Sequence, residues 1–266
     1  PITHPQWFLP ELVDVWTAHL HAHLDSGSSF VCDSAHTERT LQAYANERGT
    51  PVESLVAPMG ASAGVSAASD RDASGTKHES TDEVPFWLTV GTIEPRKNHE
   101  VILDAFDLVR DEVPSRLVVV GRYGWHNDHI AERLEAGGTH GIEWRPSVSD
   151  DELDHLYRSS FGVIVASITE GFGLPVVEAL QRGTVVLSST GGALPEAGGR
   201  FVEYFEPSSP TELADLMRLH LTDPDHHRRQ KELVASYSSP TWTDTARATG
   251  TAIRRLHAAS SQHGDC

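Results

Sequence analysis

Apolar positions follow two different rhythms along the chain. Near the start, Leu9, Leu12, Val13, Trp16, Leu20 and Leu24 recur at helical spacing and predict a helix over residues 9–24, with Pro10 suited to its first turn. A short apolar piece at 30–33 reads as a strand, and Ser34 then caps a second helix running to about Arg48. Residues 60–83 are small, polar and aperiodic, which predicts a linker or loop and the clearest domain boundary.

Beyond that boundary the pattern becomes regular. Runs of branched residues predict strands over 86–90, 116–120, 142–144, 162–166, 184–188 and 202–205. Helical stretches over 100–109, 128–136, 150–159, 174–181 and 210–221 separate or follow them, with Ser149 as the cap of the third. Short, wholly apolar strands alternating with helices imply βαβ units and a parallel sheet covered on both faces. The fold class is therefore α/β, with a doubly wound sheet over 84–240, a smaller α/β part over 1–60, a linker over 61–83, and a closing helix and tail over 241–266. Ligands of such sheets sit beyond the carboxyl ends of the strands. That directs attention to the segments after each strand: 91–98, 121–127, 167–173 and 188–195.

Composition narrows the partners. Against 38 acidic side chains stand 21 basic ones, a formal charge of −17, and only three lysines, Lys77, Lys97 and Lys231. Such a balance repels nucleic acid and anionic lipid, so neither is expected as a bulk partner. It also makes any local pair of cations a candidate anion site. Cys32 and Cys266 are the only cysteines, which excludes a disulfide scaffold and points to a reducing, cytoplasmic setting. No apolar run long enough to span a bilayer and no leader-like segment behind Pro1 is seen. His19, His21 and His23 stand two apart, which scatters them around a helix, so they are read as solvated positions rather than metal ligands.

The sharpest motif is Glu170-Gly171-Phe172-Gly173-Leu174-Pro175-Val176-Val177-Glu178. A buried strand empties into a glycine turn, and Pro175 occupies a first helical turn where its missing N–H costs nothing. The turn leaves N–H groups of Phe172, Gly173 and Leu174 at a helix start, where anions are favoured. Glu178 alone would suit the helix dipole. Together with Glu170 and the two glycines it suggests two carboxylates facing one crevice, each able to accept a pair of sugar hydroxyls. At the end of the first strand of the sheet, Gly91-Thr92-Ile93-Glu94-Pro95-Arg96-Lys97-Asn98 sets a guanidinium fork beside an ammonium, a pairing suited to phosphate. After the next strand, Gly121-Arg122-Tyr123-Gly124-Trp125 offers either a phosphate contact through Arg122 with an aromatic stacked on a base, or a cap on the sheet edge. The hydroxyl- and glycine-rich turn 188–196 is a plausible wall of the same site.

Absences discriminate as well. Neither G-x-G-x-x-G after the first strand nor G-x-x-x-x-G-K-[ST] occurs, which disfavours a dinucleotide oxidoreductase and a P-loop NTPase. No Asp-x-Asp stands near a strand end, so a metal-bridged diphosphate is not indicated.

Glu170 and Glu178, with seven residues between them, resemble the E-x7-E signature of retaining GT-B glycosyltransferases of the family 4 type. The resemblance extends through G-T-I-E-P-R-K-N-H, G-R-Y-G-W, V-S-D-D-E-L, A-L-Q-R-G-T-V-V-L-S-S and A-L-P-E, covering nearly all of 84–240 in order. It implies a nucleotide-sugar donor, with Glu178 on the ribose, Glu170 on the donor sugar as the catalytic carboxylate, and Arg96 and Lys97 on the diphosphate. Gly91, Thr92, Arg122, Phe172, Gly173 and Leu174 complete the implied donor site, no metal or other cofactor is implied, and the acceptor is a glycan, a lipid-linked sugar or a small molecule. Thr92 departs from the pattern, since many members carry Arg there. The G-T-x-E-P-R-K-N and G-R-x-G-W forms resemble mannosyl- or rhamnosyltransferase-like branches, which favours GDP-mannose. Residues 1–60 resemble only the last part of the family's first domain, so the chain is expected to be the donor-binding half, completed by a longer polypeptide or a partner chain. An uncovered apolar face on 9–24 is then expected. A non-catalytic nucleotide-sugar-binding module is the alternative, separated from the first reading by a transfer assay; a Rossmann-like epimerase is a weaker third.

Overall fold

The computed structural model describes residues 2–60 and 84–262; the linker expected over 61–83 lies outside them. In chain order the elements of the first part are α1 (Pro10–Asp25), β1 (Phe30–Cys32), α2 (Ala35–Glu47) and β2 (Ser54–Val56). The second part contains β3 (Phe86–Val90), α3 (His99–Val109), β4 (Arg116–Val120), α4 (Asp128–Ala136), β5 (Ile142–Arg145), α5 (Asp150–Ser159) and β6 (Gly162–Val165). It continues with α6 (Leu174–Gln181), β7 (Val186–Ser189), α7 (Leu194–Gly198), β8 (Glu203–Phe205), α8 (Pro210–Thr222), α9 (Pro224–Val234) and α10 (Trp242–Gln262).

All pairings are parallel, and the larger sheet has six strands in the order β5-β4-β3-β6-β7-β8. Its first strand in sequence thus lies centrally, flanked by the second and the fourth. That reversal is the topological switch point, where a crevice opens beyond the strand ends. Alternation along each strand fills two separate layers. Trp87, Leu117, Val119, Ile164 and Leu187 pack with Ile102 and Phe106 of α3, Ile130 of α4 and Met217 of α8. Leu88, Val118, Val163 and Val186 point the other way, onto Tyr157 of α5, Val176 and Leu180 of α6, and Val234 of α9. The doubly wound α/β class expected from the alternation is the one observed.

The first part is smaller. β1 and β2 form a two-stranded sheet, with Phe30 opposite Ser54 and Cys32 opposite Val56. Helix α10 returns across the molecule to pack on both strands, and the Thr245 hydroxyl donates to the Pro58 carbonyl at 2.9 Å. On α1 only Leu24 of the expected apolar stripe is buried, while Leu9, Leu12 and Trp16 are exposed. Val13 and Leu20 are half-buried, so among the described residues that face is only partly covered. Two elements escape sequence reading. β2 is three residues long, and α9 (P-D-H-H-R-R-Q-K-E-L-V) buries Val234 alone, so neither carries a periodic apolar signal. Among the described residues, no helix is long and apolar enough to cross a membrane.

Candidate functional site

The segment after β3 and the segment after β6 are far apart in sequence, yet the switch point sets them side by side. Residues 95–97 form one tight turn, and Asn98 follows in the left-handed region at φ 57°. Asn98 holds this conformation by donating its side-chain amide to the carbonyls of Ala166 (3.0 Å) and Pro207 (2.7 Å). The turn is thereby tied to the end of β6 and to the loop after β8. The Ile168 N–H donates to the Arg96 carbonyl at 2.9 Å, closing the second link.

Across this seam lies a four-charge cluster. Glu170 Oε1 accepts from Lys97 Nζ at 2.6 Å and from the Ser167 hydroxyl at 2.8 Å, while Oε2 accepts from Arg96 Nη1 at 2.5 Å. Arg96 also donates through Nη2 to Glu94 Oε1 at 2.6 Å and through Nη1 to the Thr169 carbonyl at 3.2 Å. Two carboxylates thus balance two cations, nearly all out of bulk water: Glu170 is only 9% exposed. The stem of Lys97 crosses directly over Gly91, where a Cβ would stand 3.3 Å from Lys97 Cε. Thr92 is half-buried and packs its methyl against Gly124 rather than reaching the cluster.

Burial alone would raise the Glu170 carboxyl, but Lys97 and then Arg96 outweigh it and hold it below the ordinary carboxylate range. A carboxyl with a depressed folded pKa stabilises the fold fully above the unfolded value of about 4.3, and that contribution is lost as pH falls through the lower folded pKa. The native chain is therefore expected to lose stability steeply below about pH 4, and Glu170→Gln to lack that component. Urea melts at stepped pH check this; parallel slopes for the two proteins would contradict it. His99, one residue beyond Asn98, is wholly buried, and burial together with the neighbouring Lys97 lowers it to about 3, so it is neutral.

The turn that follows Glu170 ends at α6. Gly173 is the cap of α6 at φ 98°, and a Cβ there would meet Leu194 at 2.8 Å. Among the described residues, no hydrogen bond uses the N–H of Phe172, Gly173 or Leu174. These donors at a helix start remain available to a ligand. The 188–196 turn buttresses the arrangement from below: Ala193 N–H donates to the Glu170 carbonyl at 2.9 Å, and Ser189 donates to the Ser167 carbonyl at 2.5 Å.

From the first part, the start of α2 reaches the same turn. Ser34 Oγ and Thr37 Oγ1 both donate to the Gly171 carbonyl, at 2.5 and 3.2 Å. Glu196 accepts from the Ala35 N–H and from Arg39, at 2.8 and 3.1 Å. Sequence reading missed these contacts; the visible hint was only that Ser34 caps α2. Between the two parts opens a cavity of about 570 Å³, lined by Leu20, His36, Thr40 and Tyr44 on one side and Arg96, Thr169, Glu170 and Gly171 on the other.

Two expected neighbours do not join this cluster. Glu178 does not line the cavity shared by Arg96 and Glu170. It sits in the second turn of α6, half-buried, and accepts from the buried Tyr157 hydroxyl at 2.9 Å. A helix rotates about 100° per residue, and Glu178 consequently faces α5, beside Arg182, whose guanidinium stacks 5.0 Å over the Tyr157 ring. Arg122 is exposed at the end of β4 and contributes only its carbonyl, which accepts from the Ile93 N–H. Of the aromatics beside it, Trp125 is occupied by the first part: its indole N–H donates to the Trp7 carbonyl at 2.7 Å, with Phe8 packed nearby.

The switch-point crevice thus sets paired cations and a carboxylate beside free helix-start donors, an arrangement suited to an anionic ligand. Residues 70–235 match the family described as "Glycosyl transferases group 1", and the chain belongs to that family. It is similar to the serotype-specific mannosyltransferase WbdA of Escherichia coli, with 28% identity over 251 residues, covering 88% of this chain and 30% of that protein. It is also similar to the O-antigen chain mannosyltransferase B of Escherichia coli, at 37% identity over 117 residues, 43% of this chain and 31% of that protein. D-inositol 3-phosphate glycosyltransferase of Streptomyces coelicolor is 30% identical over 177 residues, covering 61% and 38% of the two chains. The chain thus spans about a third of the length of these relatives. Among solved structures, the glycosyltransferase WaaG superposes with a TM-score of 0.67 at 16% identity, over 85% of this chain and 62% of that one. Sucrose-phosphate synthase from Thermosynechococcus elongatus gives 0.65 at 21%, over 91% and 62%. These two likenesses bear on the fold alone.

Proposed function

We propose that this chain supplies the donor-binding half of a retaining hexosyltransferase that uses a nucleoside-diphosphate sugar, GDP-mannose favoured, and needs no metal for the transfer itself. The observation that carries the reading is the convergence of Arg96, Lys97 and Glu170 beside the free N–H groups of Phe172, Gly173 and Leu174. Within the cluster Arg96 and Lys97 neutralise Glu170 and Glu94. An entering diphosphate competes for those two cations and, once bound, gains negative charge as the sugar–oxygen bond breaks. Preorganised cations and helix-start donors stabilise that developing charge, which is the largest electrostatic term available here. Glu170, freed in part from its ion pairs, accepts hydroxyls of the donor sugar next to the reacting carbon. Glu178, held by Tyr157, accepts from the ribose. The mannosyltransferase names of two relatives support mannose as the transferred sugar.

The acceptor enters the cavity between α2 and the Glu170 turn, where Leu20, His36 and Tyr44 give it a partly apolar wall. A glycan, a lipid-linked sugar or a small polyol fits that lining. A further polypeptide segment or a partner chain that covers α1 completes the acceptor side. The buried free thiol of Cys32 agrees with a cytoplasmic setting.

Calorimetry with GDP and UDP tests the reading. GDP is expected to bind the chain, and Glu178→Ala to weaken it about tenfold, near 1.4 kcal/mol. No heat with either nucleotide at millimolar concentration would remove the nucleotide-sugar assignment. Transfer from GDP-mannose, assayed with the chain and a panel of acceptors, separates an enzyme from a binding module.

A further inference from the structure

A second cluster of side chains lies away from the transfer loops, at the start of edge strand β8. Glu203 opens that strand, His220 lies in the last turn of α8, and His226 in the first turn of α9. His220 meets Trp87 edge-on at the start of β3, so the group sits toward the amino ends of the strands, whereas the donor loops leave their carboxyl ends. Among the described residues these three make the one group of metal-ligating side chains whose donor atoms all fall within 4.8 Å of one another.

The local geometry suits a cation. Both histidines aim Nε2 at one carboxylate: His226 Nε2 stands 3.0 and 3.3 Å from the two Glu203 oxygens, and His220 Nε2 contacts Oε2. Zinc bonds of about 2.0–2.2 Å in a tetrahedron place ligand atoms about 3.3 Å apart; His226 and Glu203 stand near that spacing, while His220 and Glu203 touch directly and must part slightly to admit an ion. The His220 side chain has no solvent exposure, and its other nitrogen, Nδ1, lies 3.1 Å from Nδ1 of His227. A metal-bound histidine characteristically gives its second N–H to an acceptor. His227 is oriented for that part by stacking flat on Phe161, with ring centroids 4.0 Å apart at 10°. His226 is fixed in turn because Asp223 caps α9 through the His226 N–H at 2.9 Å. His226 and Glu203 keep about a quarter of their side-chain surface, so solvent and an ion can reach the group.

We propose that Glu203, His220 and His226 form a structural zinc site, with His227 as the hydrogen-bond acceptor behind His220. Imidazole and carboxylate ligands at this spacing favour zinc over magnesium or calcium. The ion staples the α8–α9 hairpin to the edge of the sheet, a region whose helix α9 buries only one apolar side chain. No step of sugar transfer runs through it.

Zinc alone, titrated into the metal-stripped full chain against a chromophoric chelator, is expected to bind at one equivalent and to raise the melting temperature. Cobalt substitution is expected to give the visible absorption of a low-coordinate nitrogen–oxygen site. His226→Gln and Glu203→Gln, both at partly exposed positions, should each weaken zinc at least tenfold and abolish the thermal shift while melting like the metal-free parent. His227→Gln should weaken it about tenfold with the stoichiometry kept. The His19 and His23 rings on α1 also approach, at 4.6 Å, so the double variant His19→Gln/His23→Gln is the control and should change nothing. Absence of stoichiometric uptake, uptake unaffected by His226→Gln, or uptake lost in the α1 double variant would each overturn the site. GDP calorimetry on metal-stripped protein keeps this result separate from the donor assignment.

Discussion

Glu170→Gln is expected to lower sugar transfer by about 10³-fold while leaving GDP affinity equal or tighter. The split follows from the charge count. In the native cluster Lys97, Arg96 and Ser167 all donate to Glu170, and only Glu94 offers a further carboxylate. An amide in place of the carboxylate keeps the shape but removes one negative charge, so two cations face one anion. They then meet the diphosphate with less competition, and ground-state nucleotide binding does not suffer. In the proposed reaction what is lost is the acceptor for the donor sugar's hydroxyls and the charge beside the reacting carbon, both of which act during bond cleavage. Stability falls by about 2 kcal/mol, because breaking a buried pair strands its partner and the crevice side of this pair still reaches water. Steady-state kinetics with GDP-mannose and calorimetry with GDP read the two halves. Transfer within tenfold of native would remove Glu170 from the reacting centre; a parallel loss of GDP binding would mean the substitution had collapsed the turn.

Gly192→Ala is expected to be a strongly damaging small change beside the charged cluster, costing about 3 kcal/mol. Gly192 lies at φ 63°, where an L side chain carries strain of about 1–2 kcal/mol. Its Cβ would also stand 2.5 Å from both the backbone nitrogen and the carbonyl oxygen of Glu170. Backbone atoms cannot swing aside as a side-chain tip can, so the 188–196 turn and the Glu170 turn must separate. The Ala193 to Glu170 hydrogen bond goes with them, and the carboxylate loses its alignment with Arg96 and Lys97. Gly171→Ala is the contrast. That position carries no left-handed requirement, and a Cβ would meet side-chain atoms, the Asp33 carboxylate at 3.3 Å and the Thr37 hydroxyl at 3.6 Å. Its cost is expected to stay below about 1 kcal/mol. Denaturant melts rank the two; equal losses would mean that the close approach at Gly192 is not what holds the turn.

These two residues also show how far the sequence reaches. Glu170 stood out on local grounds, as an acidic residue leaving a buried strand into a glycine turn before a proline-led helix. Gly192 sat in a turn whose chemistry an ordinary loop would explain equally well; its need for glycine arises from the backbone of residue 170 passing beneath it. Glu178 shows the opposite limit. Its seven-residue spacing from Glu170 was visible, but a spacing does not say which way a helix face turns, and α6 aims that carboxylate at Tyr157. Helix α9 was missed for a related reason: ten of its eleven residues escape full burial, so no apolar stripe marked it.

By itself, the sequence determined the α/β alternation and the strands of the larger sheet, because each depends on neighbours within one element. Against a balance of −17, Lys97 is conspicuous in the sequence as one of only three lysines. The strand order β5-β4-β3-β6-β7-β8 belongs to the tertiary structure alone. Parallel strands pair through crossovers, and local periodicity does not reveal which two central strands will flank the switch point. That pairing brings Arg96 and Lys97 to within 2.6 Å of a carboxylate more than seventy residues away, and the same long-range packing gathers His220, His226 and His227 around Glu203. Local physics sets what each segment can be; only the closing of long loops onto shared faces decides which charges meet.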